Sequence, residues 1–141
     1  MKENDLPYRT FIFGVNCLKF LKTLPSSYEL NVIKVQLSKS STSIGANYEE
    51  SQAGSSKADF RNKIRISLRE ARETNYWLRI IKELEVSEEE HLTKLLKESF
   101  EIKNISEFIN DGDLSEMQSG IKYTYEEARL ECLKKLINII K

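Results

Sequence analysis

Glu88 and His91 stand three apart, the Glu-x-x-His half-motif with which helical bundles hold di-iron centres. Such a centre needs a second pair and two further carboxylates, and His91 is the only histidine in the chain. The pair also falls in the first turn of its predicted helix, at a bundle's end, so no metal or other cofactor is expected. Glu70 and Glu73 have the spacing of an acid/base pair, but salt bridging on a helix surface accounts for them better. Ser40, Ser43 and Asn47 share one side of a helix as a hydroxyl-lined patch. A serine nucleophile needs a base, and no histidine lies near in sequence, so close helix packing is the reading preferred there. No phosphate loop, paired-glycine fingerprint or nucleophile elbow is present. Cys17 and Cys132 cannot build a disulfide framework or a four-ligand zinc site, and each sits in an apolar stretch suited to a buried thiol. An enzyme is not expected.

One arrangement remains. At about 100° per residue, Arg61, Arg65, Arg69, Arg72, Tyr76 and Arg79 fall within about 80° of one another on a helix. Planar, permanently charged guanidinium groups at helical spacing suit a row of phosphates, and a tyrosine among them can stack on a base. Between residues 55 and 82 there are eight basic side chains against three acidic, a local net of +5. Residues 83 to 118 carry eleven acids against three bases, a net of −8. The neutral total of 22 Lys and Arg against 22 Asp and Glu therefore conceals a basic helix followed by an acidic one. Either the two pair across the surface, or the basic face is left for phosphate.

The elements that position this row are punctuated by their capping residues. Pro25 ends a first helix over about 5–24. Ser26 with Glu29 opens a second over about 27–53, closed by Gly54. Ser56 with Asp59 opens a third over about 57–85, and Ser87 with Glu90 a fourth over about 88–110. Thr124 with Glu127 starts a further helix over about 124–140. Its apolar face, Ala128, Cys132, Leu133, Leu136, Ile137 and Ile140, should dock rather than stay in water. In the third helix Phe60, Ile64, Leu68, Ala71, Asn75, Leu78 and Lys82 form the core stripe. Ile66 and Trp77 face elsewhere, with Glu70 and Glu73. The second helix is small in its middle, from Ser38 to Ala46, which lets a neighbour approach closely. The first is apolar on more than one side, with Phe11, Val15 and Leu18 on one and Phe13, Cys17 and Phe20 on another. Surplus apolar surface of this kind argues for burial between subunits, with Phe13, Phe20, Ile66 and Trp77 as the expected interface.

With 40% hydrophobic and 31% charged residues, two prolines and five glycines, composition favours long helices and excludes a membrane span. The charged amino-terminus lacks the apolar run of a secretory signal, which points to the cytoplasm. The expected fold is all-α: an up-and-down four-helix bundle over residues 1–110, with a C-terminal helical extension over 111–141.

The stretch Gln36-Leu37-Ser38-Lys39-Ser40 through Ser43-Ile44-Gly45-Ala46-Asn47-Tyr48-Glu49-Glu50, then Ser56-Lys57-Ala58-Asp59-Phe60, is distinctive. So is Ile66-Ser67-Leu68-Arg69-Glu70-Ala71-Arg72-Glu73-Thr74-Asn75-Tyr76-Trp77-Leu78. Together they resemble the bacterial four-helix-bundle proteins encoded in intervening sequences of the 23S rRNA gene. That family includes relatives of the accessory variability protein of diversity-generating retroelements. The resemblance implies an up-down-up-down bundle that assembles as a homopentamer, with no established enzymatic activity. It also implies nucleic-acid binding through a basic surface and association with a reverse transcriptase. The chain departs from the family's pattern at Ser38-Lys39-Ser40-Ser41, where relatives often carry an arginine before the serine; this shifts one basic contact to Lys39. Residues 111–141 run past the family's usual end. The functional expectation is a non-catalytic oligomer that binds RNA or DNA through the third helix. The alternative is a protein-interaction scaffold whose arginines are consumed by salt bridges.

Overall fold

Two of the helices in this chain begin where a serine hydroxyl accepts a hydrogen bond from the first turn. A computed structural model describes residues 6–111 as four helices: α1 (Leu6–Leu21), α2 (Tyr28–Gln52), α3 (Lys57–Glu83) and α4 (Glu89–Asp111). The helix expected over about 124–140, and Cys132 with it, lies outside the described residues. Ser56 caps α3 by accepting from the Asp59 N–H at 3.1 Å. In α2 the cap is Ser27, one residue beyond the expected Ser26, and it accepts from the Leu30 N–H at 3.1 Å. The first helix stops at Leu21, short of Pro25. The Lys22 and Thr23 N–H groups bond to carbonyls three residues back, and the Thr23 hydroxyl adds a third bond to the Phe20 carbonyl.

The turn between α3 and α4 departs most from expectation. Glu85 lies outside α3, in the left-handed region at φ 52°, where its N–H still reaches the Lys82 carbonyl at 3.1 Å. The Ser87–Glu90 capping box does not form. Glu88 takes the capping place, its carbonyl accepting from the Leu92 N–H. Glu90 turns along its own helix to Lys94, 2.6 Å away, and the Ser87 hydroxyl is buried with no hydrogen-bond partner among the described residues.

Consecutive helices pack against each other, and α4 closes on α1. The α1–α2 contact is close because glycines face it. A Cβ on Gly45 would stand 3.2 Å from Thr10 Oγ1, and one on Gly14 would stand 3.3 Å from the Ser41 carbonyl oxygen. The small-residue middle of α2 is therefore a packing surface, as its composition suggests.

The buried apolar residues form two clusters. The larger includes Phe13, Cys17, Phe20, Leu37, Ile44, Leu78, Ile81, Leu95 and Ile102. The smaller joins Leu6, Ile64, Ile105 and Ile109, with Tyr48 and Phe60 against it. Between them lie three buried small residues, Thr10, Gly45 and Ser67, while Ser106 of α4 sits within the smaller cluster, between Ile105 and Ile109. The level of the three is fixed by the Thr10–Gly45 contact and by the Ser67 hydroxyl, which donates to the Ile44 carbonyl across the α2–α3 seam at 3.0 Å. The Thr10 and Ser106 hydroxyls donate to carbonyls one turn back, each at 2.9 Å. Each of these hydroxyls is thus satisfied, which removes the main penalty of burying it.

Candidate nucleic-acid interface

Interior residues of α3 set where its arginines point. The buried side chains are Ile64, Ser67, Leu68, Ala71, Thr74, Leu78 and Ile81. The core face is therefore rotated from the expected stripe toward Ser67, Thr74 and Ile81. Two hydroxyl residues belong to the core because α2 offers them partners: Ile44 O for Ser67, and Ser40 Oγ for Thr74 at 2.9 Å. Lys82, at the end of the expected stripe, is exposed. Asn75 sits at the edge and donates to Ser99 Oγ of α4 at 2.8 Å.

Arg61, Arg65, Arg69, Arg72 and Arg79 are all exposed. Arg72 meets Glu107 of α4, Nη2 to Oε1 at 2.9 Å. Arg61, Arg65, Arg69 and Arg79 have no ion-pair partner among the described residues. The acidic α4 spends its carboxylates elsewhere: Glu98 and Glu101 hold Arg9 of α1, and Glu90 holds Lys94. Among the described residues, pairing of basic α3 with acidic α4 thus occurs at one point of the row, and surface pairs of this kind contribute only about 0–1 kcal/mol. Lys63, beside the row, bonds Glu50 of α2, and that bond raises its pKa.

Tyr76 is 49% exposed within the row, its ring edge-on to Trp77 at 5.1 Å. Trp77 and Ile66 are half-buried. The Trp77 indole packs on the main core and donates to Glu73 Oε1 at 3.1 Å. Phe13 and Phe20, expected between subunits, correct that expectation: each is 1% exposed, inside the bundle's own core. The other side of α1 is the outer one, with Phe11 58% exposed and Leu18 also exposed. Tyr28, Val32 and Val35 form a second exposed apolar stripe on α2. Sequence reasoning missed Phe100 and Lys103 of α4. Phe100 is 54% exposed, with the Lys103 ammonium 4.9 Å from its ring centroid. A phenylalanine at helical spacing from lysine on a predominantly acidic helix was the available signal.

The other chemically suggestive groups are placed differently. Ser40 is buried against Thr74, and Asn47 donates to the Ser43 carbonyl at 2.8 Å. The Glu70 carboxyl is raised above its usual range by burial first and by the charge of Glu73 second, with Lys39 and Arg69 opposing. Burial likewise pushes the Cys17 thiol up to about 12. His91 stacks edge-on to Phe20 at 5.3 Å. It borders a cleft of about 630 Å³ between α1 and α4, lined also by Tyr8, Arg9, Asn16, Lys94 and Glu98. Among the described residues no three His, Cys, Asp or Glu side chains are grouped to hold a metal. No helix among them is long and apolar enough to cross a membrane.

A structure described as a protein of unknown function from the S23 ribosomal protein family of Bacteroides thetaiotaomicron superposes with a TM-score of 0.70. It is 33% identical, over 76% of this chain and 99% of that one. No curated protein matches the chain. The sequence profile described as 23S rRNA-intervening sequence protein matches residues 2–107, which takes in all of α1, α2 and α3 and most of α4. With four antiparallel helices, that profile and a solved relative of the same length of bundle, the chain belongs to the 23S rRNA-intervening sequence protein family.

Proposed function

We propose that this chain is a non-catalytic, oligomeric helical bundle that binds nucleic-acid phosphates through the exposed arginines of α3. The observation that carries this reading is the exposure of Arg61, Arg65, Arg69 and Arg79 without ion-pair partners among the described residues. A scaffold that used the row for internal salt bridges would have matched it to α4, and among the described residues only Arg72 is so matched. Residues on successive turns lie about 5–6 Å apart, comparable with phosphate spacing along a strand. Such binding is sequence-tolerant and falls steeply with salt as counterions are released.

Self-association is part of the proposal, and Phe11, Leu18, Tyr28, Val32 and Val35 supply the surface for it. Contiguous exposed apolar patches mark interaction surfaces on soluble proteins. Five is the number that the family resemblance implies, and repetition around a ring multiplies a weak contact. Arg65→Glu with Arg69→Glu tests the phosphate reading while leaving the Arg72–Glu107 pair intact. The double variant is expected to stay folded and to lose retention of RNA and DNA at low salt. Equal retention by wild type and variant, or none by wild type, defeats the reading. Light scattering that returns a 16.4 kDa particle at micromolar concentration defeats the oligomer.

A further inference from the structure

We infer that the outer face shared by α3 and α4 is a stacking platform for single-stranded nucleic acid, with bases on Tyr76 and Phe100. The inference rests on the phosphate-binding reading above and adds the form of the ligand. Its geometry comes from one hydrogen bond. Asn75 of α3 donates to Ser99 of α4 at 2.8 Å, which fixes the register of two antiparallel helices. Antiparallel neighbours are related by a local two-fold axis along the outward normal, so the residues that follow such a pair turn to the same side. Those residues are Tyr76 and Phe100. Both are about half exposed, 49% and 54%, so the side they share is the outer one. Helix axes in contact lie about 8–10 Å apart, which places two aromatic rings next to each other across the seam.

The charges around the rings decide the occupant. One turn before Tyr76 is Arg72, and one turn after is Arg79, both exposed. Lys103 lies over one face of Phe100. The acids nearest the rings are engaged: Glu107 with Arg72, and Glu73 with the Trp77 indole. Aromatic rings flanked by guanidinium and ammonium groups fit a chain that is apolar on its base faces and anionic along its backbone. Such a chain must be single-stranded, because a duplex keeps its base faces stacked on each other. A protein partner with an acidic surface would use the cations and leave the rings without a specific role.

The test uses the full chain and a mixed-sequence single strand, against the duplex formed with its complement, by fluorescence anisotropy at low salt. The single strand is expected to bind about tenfold tighter than the duplex, and Phe100→Ala or Tyr76→Ala to remove about that factor for the single strand alone. Phe100→Trp should bind like wild type and show quenched emission when loaded. It keeps the test decisive should an alanine variant fold poorly. Trp77, the only tryptophan of the wild-type chain, should also change its emission as a base meets the neighbouring Tyr76. Equal affinity for strand and duplex with unchanged Phe100→Ala binding, or an unquenched Phe100→Trp, overturns the platform and leaves the arginine reading standing. Binding to neither form defeats both.

Discussion

Glu85 holds a conformation that glycine adopts without penalty, so Glu85→Gly should stabilise the protein. Its φ of 52° lies in the left-handed region, which costs an L-residue roughly 1–2 kcal/mol. Glycine's greater freedom in the unfolded chain gives back up to about 1 kcal/mol of that gain. Glu85 also sets a negative charge just past the carboxyl end of α3, beside the Ile80 and Lys82 carbonyls that accept from Leu84 and Glu85. The helix dipole makes that unfavourable by about 0.3–1 kcal/mol at low salt. The net expectation is a gain of about 0.5–1.5 kcal/mol, or roughly 2–6 °C in Tm. Glu85→Ala separates the two contributions, because it removes the charge and keeps the strain. Its gain should be smaller and should fade with salt, while the glycine surplus, strain relieved less unfolded-chain entropy gained, should persist. Urea unfolding of the three proteins at low and high salt measures both. Equal stability of the alanine and glycine variants, or a loss with glycine, would refute the assignment of strain to this residue.

Glu70→Gln should raise Tm at pH 7, since burial and Glu73 disfavour the Glu70 carboxylate in the fold. A carboxyl whose folded pKa is raised destabilises the fold only when ionised, so the advantage of glutamine should vanish as pH falls below the usual carboxylate range. Cys17, with its thiol pushed up to about 12, should resist alkylation at pH 8 in a Cys132→Ser background until the protein unfolds. Its stabilising neutral form should be lost to thiolate in the unfolded chain first, so stability should fall as pH rises from 9.0 toward 12. Gly45→Val should lower the urea midpoint, with overpacking of this kind costing about 1–3 kcal/mol. The added side chain would press on the Thr10 hydroxyl, which is held by the Leu6 and Pro7 carbonyls.

Capping chemistry made the helices legible from sequence, and its ambiguities explain the differences. Ser26 and Ser27 are adjacent candidates for one cap, and only the backbone path into α2 chooses between them. The Ser87–Glu90 box failed because Lys94 offered Glu90 an ion pair one turn along. On α3 the arginine row could be read because charge marks an outer face. The core phase beside it was read slightly askew because Ser67 and Thr74 look solvent-facing until α2 supplies their acceptors. On α1 apolar residues surround most of the helix, so no periodicity could say whether Phe13 or Phe11 faced inward. Phe100 was hidden for a different reason: its value depends on a ring from another helix, and no single-helix pattern carries that.

The small residues Thr10, Gly45 and Ser67 also mark the division of the core into two clusters of unequal size. The Leu6–Ile64–Ile105–Ile109 end is the smaller cluster, so it is expected to open sub-globally while the larger one stays closed. Amide exchange should therefore fall into two tiers, with the break near Ser67 in α3 and between Ile102 and Ile105 in α4. Arg61 and Arg65 lie on the less protected side, Arg72 and Arg79 on the more protected one. A strand bound along the whole row would bridge the two foldons, so ligand should slow exchange most at the end that frays, well away from either aromatic ring.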